Sequence, residues 1–451
     1  MKEPAERLGL SAAQKAQLLQ NVARKVNQTG APAPAAEKPA LGHADAQAEI
    51  ALMRRAGQAL GLQSPFFRLN SGHATPWADI DGRRVLSFSA YNYLGLNGDP
   101  RVTVASKLAA DRYGTSVSGS RITSGERPVH RELEAALADL YEAEDALVLV
   151  GGHATNVTVI AHLVGPGDAV VYDTLAHNSI IQGAQLSGAR RRSFQHNDLA
   201  DLDRVLGELA QGTRRRLIVV EGCYGMDGDA PDLKGLSELA QRHKAHIMVD
   251  EAHALGVLGP RGHGLAEHCG VDPNCVDVWM GTLSKTLASC GGYIAGRADL
   301  IDYLRCSAPG FLFSVGMPAP VAAAALAALQ LMRQEPERVR RLQHNGWVFA
   351  EAARRLGLDV GATLGAAIIP VIIGSSLRTT LVAARLWQEG IWVQPILYPG
   401  VPERSARLRF FVTSEHEPED LRRVAAATAR ALADIEVDRR QLEALATGSS
   451  P

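Results

Sequence analysis

Asp250 and His253 follow one short apolar run, residues 247–249, and Thr282, Ser284 and Lys285 follow another, residues 276–280. Runs this short and apolar throughout read as buried parallel strands. In an open α/β sheet the ligand crevice lies beyond the carboxyl ends of the strands. The spacing therefore gathers a carboxylate, an imidazole, two hydroxyls and an amine in one crevice. Pyridoxal phosphate (PLP) needs such a set: a lysine for its Schiff base, a carboxylate for its pyridinium nitrogen and donors for its phosphate.

Other readings of the same stretch are weaker. Asp250-Glu251-Ala252-His253 also spells a helicase box, but that chemistry needs an upstream Gly-x-x-x-x-Gly-Lys-Ser/Thr loop. Residues 281–286 come nearest to such a loop, lack the glycine before the lysine, and lie downstream. His243, His246, His263, His268 and Cys269 cluster in sequence without the spacing of a metal site.

The elements that must hold these groups follow from the rest of the chain. At 451 residues it is long enough for a large core and two domains. A net charge of -1 gives no footprint for nucleic acid or a membrane surface. No apolar run approaches a membrane span, and the first residues carry no hydrophobic signal core. Five cysteines without a Cys-x-x-Cys pair read as reduced thiols of a cytoplasmic protein.

From 145 to 296, apolar runs at 146–150, 169–172, 217–220, 247–249, 276–280 and 293–295 alternate with helical patterns such as 199–209 and 233–243. This predicts an α/β fold with a mostly parallel sheet. Gly151-Gly152-His153 stands at a strand-to-helix turn, where free N–H groups suit a phosphate or simply make a tight turn. Residues 114–121 read either as a surface turn or as an anion-binding loop. A hairpin is expected over 77–88 with its turn at Asp81-Gly82. After residue 314 come helices at 318–335 and 336–356. Strands at 368–373, 391–394 and 408–412 then interleave with helices at 377–388 and 418–433, as in a smaller α+β domain.

The expected division is an N-terminal helix and Ala/Pro linker over 1–44, an arm and hairpin over 45–100 and a large domain over 101–317. A small domain over 318–440 and a tail over 441–451 complete it. Residues 11–26 form one amphipathic helix, capped by Ser11 with Gln14, and residues 45–62 another. The first is either an arm packed on the body or a docking helix for another protein.

Taken together the chain resembles the α-oxoamine synthase family of PLP enzymes over residues 65–435. The resemblance is carried by Tyr91-Asn92-Tyr93-Leu94-Gly95-Leu96, His130 with Leu133-Glu134, Gly152-His153-Ala154-Thr155-Asn156 and Asp173 with His177-Asn178-Ser179. It continues through Glu221 with Met226-Asp227-Gly228-Asp229, Asp250-Glu251-Ala252-His253, Thr282-Leu283-Ser284-Lys285 and Arg407-Leu408-Arg409. It implies fold type I of the PLP enzymes and a homodimer with active sites at the interface. By the same resemblance Lys285 carries PLP, Asp250 pairs with the pyridine nitrogen, His253 reaches the ring oxygen and His177 stacks on the ring. Backbone at Gly152 and His153, with Thr282, holds the phosphate; Glu221, Ser284 and Ser314 complete the cofactor shell. Arg409 grips the amino-acid carboxylate, with Asn92 nearby.

The implied reaction is a decarboxylative condensation of an α-amino acid with an acyl thioester of CoA or an acyl carrier protein. His153, Val117, Gly225 and Ser314-Val315-Gly316 depart from the common family pattern. These departures point to members that accompany polyketide-type assembly lines. Primary-metabolic members are the alternative; a transaminase or a non-catalytic PLP-binding subunit stands behind both.

Overall fold

The computed structural model describes residues 63–435. The helices expected at 11–26 and 45–62, and the tail, lie outside those residues. The hairpin is β1 (Trp77–Ile80) and β2 (Arg83–Ser87), turning at Asp81-Gly82, both with positive φ. Helices α1 (Pro100–Tyr113) and α2 (Pro128–Leu140) lead into β3 (Asp145–Leu149). Alternation then runs through α3 (Gly152–Leu163), β4 (Ala169–Asp173), α4 (Asn178–Leu186), β5 (Arg190–Phe194), α5 (Leu199–Leu209), β6 (Arg216–Glu221), α6 (Leu233–His243), β7 (His246–Asp250), β8 (Val278–Thr282) and β9 (Gly292–Gly296).

These seven strands form one sheet, ordered β3-β9-β8-β7-β6-β4-β5. Strand β9 runs antiparallel to both β3 and β8, and the other pairs are parallel. Both faces are covered: Ile218 and Val220 of β6 join one core, and Leu217 and Val219 join the other. That two-sided burial explains why the central strands read as continuous apolar runs.

Strand β5 was not expected. Its sequence, Arg-Arg-Arg-Ser-Phe, has only Phe194 buried, because an edge strand needs one partner and charge guards its free side. The helices obey local rules more closely. Asp198 accepts from Ala200 and Asp201 N–H to cap α5, and Leu202, Val205, Leu206 and Leu209 bury its inner face.

Beyond β9 come α7 (Ala298–Ser307), α8 (Ala319–Gln334) and α9 (Glu337–Arg355). They are followed by β10 (Ile368–Ile372), α10 (Ser376–Gln388), β11 (Ile391–Trp392), β12 (Gln394–Ile396), β13 (Arg407–Phe411) and α11 (Pro418–Asp434). Helix α8 buries Ala322, Ala325, Ala328 and Leu329 in the core that holds α2 and the seven-stranded sheet, not in the smaller C-terminal core. The smaller core gathers Leu86 and Phe88 with Phe349, Leu408, Phe410 and Val424. The strand expected over 391–394 is split between two sheets. β11 pairs with β2 of the hairpin, and β12 pairs with β13.

Candidate active site

Strand β7 delivers Asp250 as its last residue, and β8 delivers Thr282 as its last, two residues later than the sequence pattern suggests. Lys285 sits on a stitched turn: Leu283 and Ser289 close it through Gly291 O and Leu283 O, and Leu283 and Leu287 anchor it by burial. A cavity of about 150 Å³ opens here, lined by Gly152, His153, Asn156, His177, Ser179, Glu221, Asp250, Ala252, His253, Met280, Thr282, Ser284 and Lys285. Residues from five separate segments thus meet at the carboxyl ends of β4, β6, β7 and β8 and at the start of α3.

Asp250 forms the floor. Its Oδ1 accepts from Ala252 N–H (2.9 Å) and its Oδ2 from Asn156 Nδ2 (2.7 Å). Asn156 also donates to Ser179 Oγ (2.9 Å), so one buried amide spaces Asp250 from the start of α4. Beside the floor, Glu221 is enclosed, accepting from His177 N–H (2.7 Å). Burial, and then the charge of Asp250, push Glu221 up to about 8, so at neutral pH it is a protonated acid and adds no second charge. Loss of solvation holds Lys285 below the ordinary ammonium range, against the opposing pull of Asp250 and Glu221. A lysine of that kind is available as a nucleophile and base.

One wall is aromatic. His253 Nδ1 shares a 2.7 Å hydrogen bond with the Tyr93 hydroxyl, and burial pushes the imidazole well below its usual range, which keeps it neutral. Tyr91 stands edge-on to His253 at 6.2 Å and to Phe411 at 4.8 Å, with Lys285 Nζ 5.8 Å from its ring centre. Arg409 lies over Phe411 at 4.6 Å and donates from Nη1 to Gly225 O (3.0 Å). Among the described residues its buried Nε–H has no partner.

The opposite end is a cradle. Thr155 N–H is the first taken within α3, bonding Gly151 O (2.9 Å), so the N–H groups of Gly152, His153 and Ala154 have no partner inside the helix. A Cβ on Gly152 would lie 2.8 Å from Thr282 Oγ1, so only glycine lets the helix start approach β8 this closely. Thr282 itself donates to Gly291 O (2.9 Å) and meets Ser284 Oγ at 2.8 Å. A helix N-terminus with free donors, a floor carboxylate and a desolvated amine fit PLP at its phosphate, its ring nitrogen and its aldehyde carbon.

Several expected residues stand elsewhere. Asn92 donates to Ala74 O (2.8 Å), ahead of the hairpin, and accepts from Asn97 N–H (2.9 Å), while its neighbour Tyr91 lies under Lys285 Nζ. Ser314 does not line the cavity. Its hydroxyl donates to Val315 O, between the exposed Phe313 and Val315. The His153 ring bonds Gln182 (3.1 Å) and meets His177 edge-on. His177 caps α4, with Nδ1 2.7 Å from Ser179 Oγ. His243 and His246 pair with Asp203 (2.5 Å) and Asp277 (2.8 Å), and among the described residues no group of three His, Cys, Asp or Glu side chains is arranged to hold a metal ion. Asn156, Tyr93 and Tyr91 stand inside motifs quoted from the sequence, but no role was assigned to them there. For the first, the signal was its place at the end of the Gly152–Asn156 motif, one helical turn beyond Gly152.

Gly225 explains one departure from the family pattern. A Cβ there would lie 2.4 Å from Nε2 of His253, so the imidazole fills the space a side chain would take. Gly225→Ala is expected to displace His253 and lower kcat about tenfold while the protein keeps its cofactor. Steady-state rates and the cofactor absorbance of the variant check this.

A family model described as aminotransferase class I and II matches residues 83–427. The 8-amino-7-oxononanoate synthase of Symbiobacterium thermophilum is 43% identical over 370 residues, covering 82% of this chain and 94% of that protein. The chain belongs to the α-oxoamine synthase family. Another relative of this synthase, the 8-amino-7-oxononanoate synthase of Thermosipho melanesiensis, is 40% identical, covering 76% of this chain and 88% of its own. Among solved structures, serine palmitoyltransferase of S. paucimobilis, with a PLP–myriocin aldimine bound, superposes with a TM-score of 0.83 at 29% identity. It covers 87% of this chain and 99% of that one. The synthase is therefore a PLP-dependent acyltransferase of fold type I.

Proposed function

We propose that this enzyme joins an α-amino acid to an acyl thioester, releasing the thiol and CO2 and leaving an α-amino ketone. The observation that carries this is one wall, Tyr91 and Phe411, that holds Lys285 at one end and Arg409 at the other. An amine able to take a proton thus faces a guanidinium able to take a carboxylate, which is what an α-amino acid requires at its Cα and its acid group. Bound PLP supplies the electron sink that makes the Cα proton removable. Asp250 holds the ring nitrogen, His253 the ring oxygen, and the start of α3 the phosphate, with Glu221 kept neutral beside them. Lys285 anchors the cofactor and then moves the Cα proton. Arg409 orients the carboxylate that is lost.

The relatives' names favour primary metabolism over an assembly-line role. The skeleton of 8-amino-7-oxononanoate divides at the bond between the amino-bearing carbon and the ketone. One half is alanine less its CO2, and the other is a seven-carbon dicarboxylic acyl group. We infer that alanine and such a thioester are the pair this enzyme takes. The carrier-docking role expected for residues 1–44 falls outside the described residues. For the pairing of subunits, the exposed Phe313 and Val315 beside Ser314 support a homodimer.

The test offers alanine, serine and glycine against thioesters of seven-carbon diacid and long-chain acyl groups, on CoA and on acyl carrier protein. Release of thiol and CO2 with a ketone product of the expected mass supports the reading, and an oxo acid without CO2 overturns it. Arg409→Lys is expected to raise KM for the amino acid about tenfold, because a point charge replaces a two-pronged clamp, with KM for the thioester within about twofold. Initial rates with each substrate varied in turn check it.

A further inference from the structure

His196 lies outside the cavity, in the segment after β5, and the reaction as described makes no use of it. Its Nδ1 is 3.0 Å from Asp173 Oδ1, and its Nε2 is 2.8 Å from Asp229 Oδ2. Carboxylates only accept hydrogen bonds, so both ring nitrogens must donate and the ring is an imidazolium. The edge-on ring of Tyr224 closes a third side at 4.6 Å.

Each carboxylate belongs to a loop of the active site. Asp173 ends β4 and accepts from Leu175 N–H (2.8 Å), two residues before His177. Asp229 ends the loop 224–229, where Tyr224 N–H bonds Asp229 O (2.9 Å). Gly225 O and Met226 Sδ of that loop both receive Arg409 Nη1, and Met226 O and Asp227 receive Arg407. Asn197 repeats the tie, its N–H bonding Asp173 Oδ2 (3.0 Å) and its Nδ2 bonding Asp229 Oδ2 (2.9 Å).

We propose that His196 is a positioning residue of the active site, tying the His177 loop to the loop on which Arg409 rests. The proposal rests on Arg409 being the carboxylate-binding group. The two carboxylates hold the imidazolium up to about 10, against the cost of burial, so the clamp stays charged over the working range of the enzyme. Because its folded value is raised, its contribution to stability is complete below the ordinary imidazole range. That contribution declines as pH rises past the ordinary imidazole range and is gone once pH has passed about 10.

His196→Gln removes the cation and leaves Asp173 and Asp229 facing each other. One of the pair then takes a proton at low pH and repels its neighbour once both ionise. In the PLP-loaded enzyme, KM for the amino acid is expected to rise about tenfold from pH 6 to pH 8 in this variant and to stay flat in the parent. The melting temperature of the variant falls over the same interval, and KM for the thioester moves less than about twofold. Adding Asp229→Asn to His196→Gln removes the repulsion and flattens both profiles.

Asp229→Asn alone keeps the imidazolium and serves if His196→Gln fails to fold. It is expected to raise KM for the amino acid with kcat nearly unchanged. Equal changes in kcat and both KM values, or profiles in His196→Gln as flat as those of the parent, overturn the proposal. Arg409→Lys run in parallel separates the two ideas. An unmoved amino-acid KM there sinks the role of Arg409, whereas a melting temperature of His196→Gln indifferent to pH sinks the clamp itself.

Discussion

Lys285→Ala is expected to lower turnover at least a thousandfold, an effect on the order of removing a nucleophile and a base together. The cavity holds no second amine that could serve. Its other lining groups are Asp250, Glu221, three hydroxyls, an amide, a thioether and three imidazoles, and Arg409 is a guanidinium that stays charged. Lys285 is also the lining side chain that lost solvation makes easier to deprotonate as an amine, while Asp250 and Glu221 nearby keep the cost of its charged form bounded. The substitution should leave the fold intact, because the turn is anchored by Leu283, Leu287 and the Thr286 hydroxyl on Leu255 O rather than by the lysine. Borohydride treatment of the parent enzyme should leave the mass of the cofactor on the peptide containing Lys285. Label on Lys234 instead, or turnover in the alanine variant within tenfold of the parent, would show that another amine does the work.

What the sequence made legible follows from how each signal arises. Strands β6, β7 and β8 are buried on both faces, so their apolar runs stand out, and with them come Asp250 and Lys285. Polar punctuation marked the helices, as Asp198 and Asp232 do where they cap α5 and α6. Strand β5 has one neighbour and three exposed arginines, and no periodicity could announce it. The reversal of β9 depends on which strand its chain returns beside, which local residues do not encode. Helix α8, rich in alanine, fits either core by pattern, and only packing assigns it to the larger one. The bond from Asn92 to Ala74 O reaches across the hairpin, a pairing that no local pattern announces. The His196 clamp was invisible for a different reason: its three members lie 23 and 33 residues apart, joined only by the ends of parallel strands.

Asp250→Asn probes the electronic half of the site, and the structure sharpens what it should do. Both oxygens of Asp250 receive donors, Ala252 N–H on one and Asn156 Nδ2 on the other. An asparagine keeps the shape but can accept on only one side, so its NH2 must face one of those two donors. The variant therefore loses the charge opposite the ring nitrogen and also strains a buried hydrogen bond, at a cost of about 1–3 kcal/mol. Exchange of the substrate's Cα hydrogen with solvent is expected to slow by about a hundred- to a thousandfold, the scale of losing one electrostatic stabiliser from a preorganised site. Two measurements separate the contributions. Asn156→Asp in the Asp250→Asn background swaps carboxylate and amide, restores the hydrogen bond, and should recover melting temperature without recovering exchange, because the charge now sits on α3. If exchange returns with the hydrogen bond, the carboxylate acts by holding Asn156 and Ser179 in place. If it stays slow, the charge at the end of β7 is what the reaction needs.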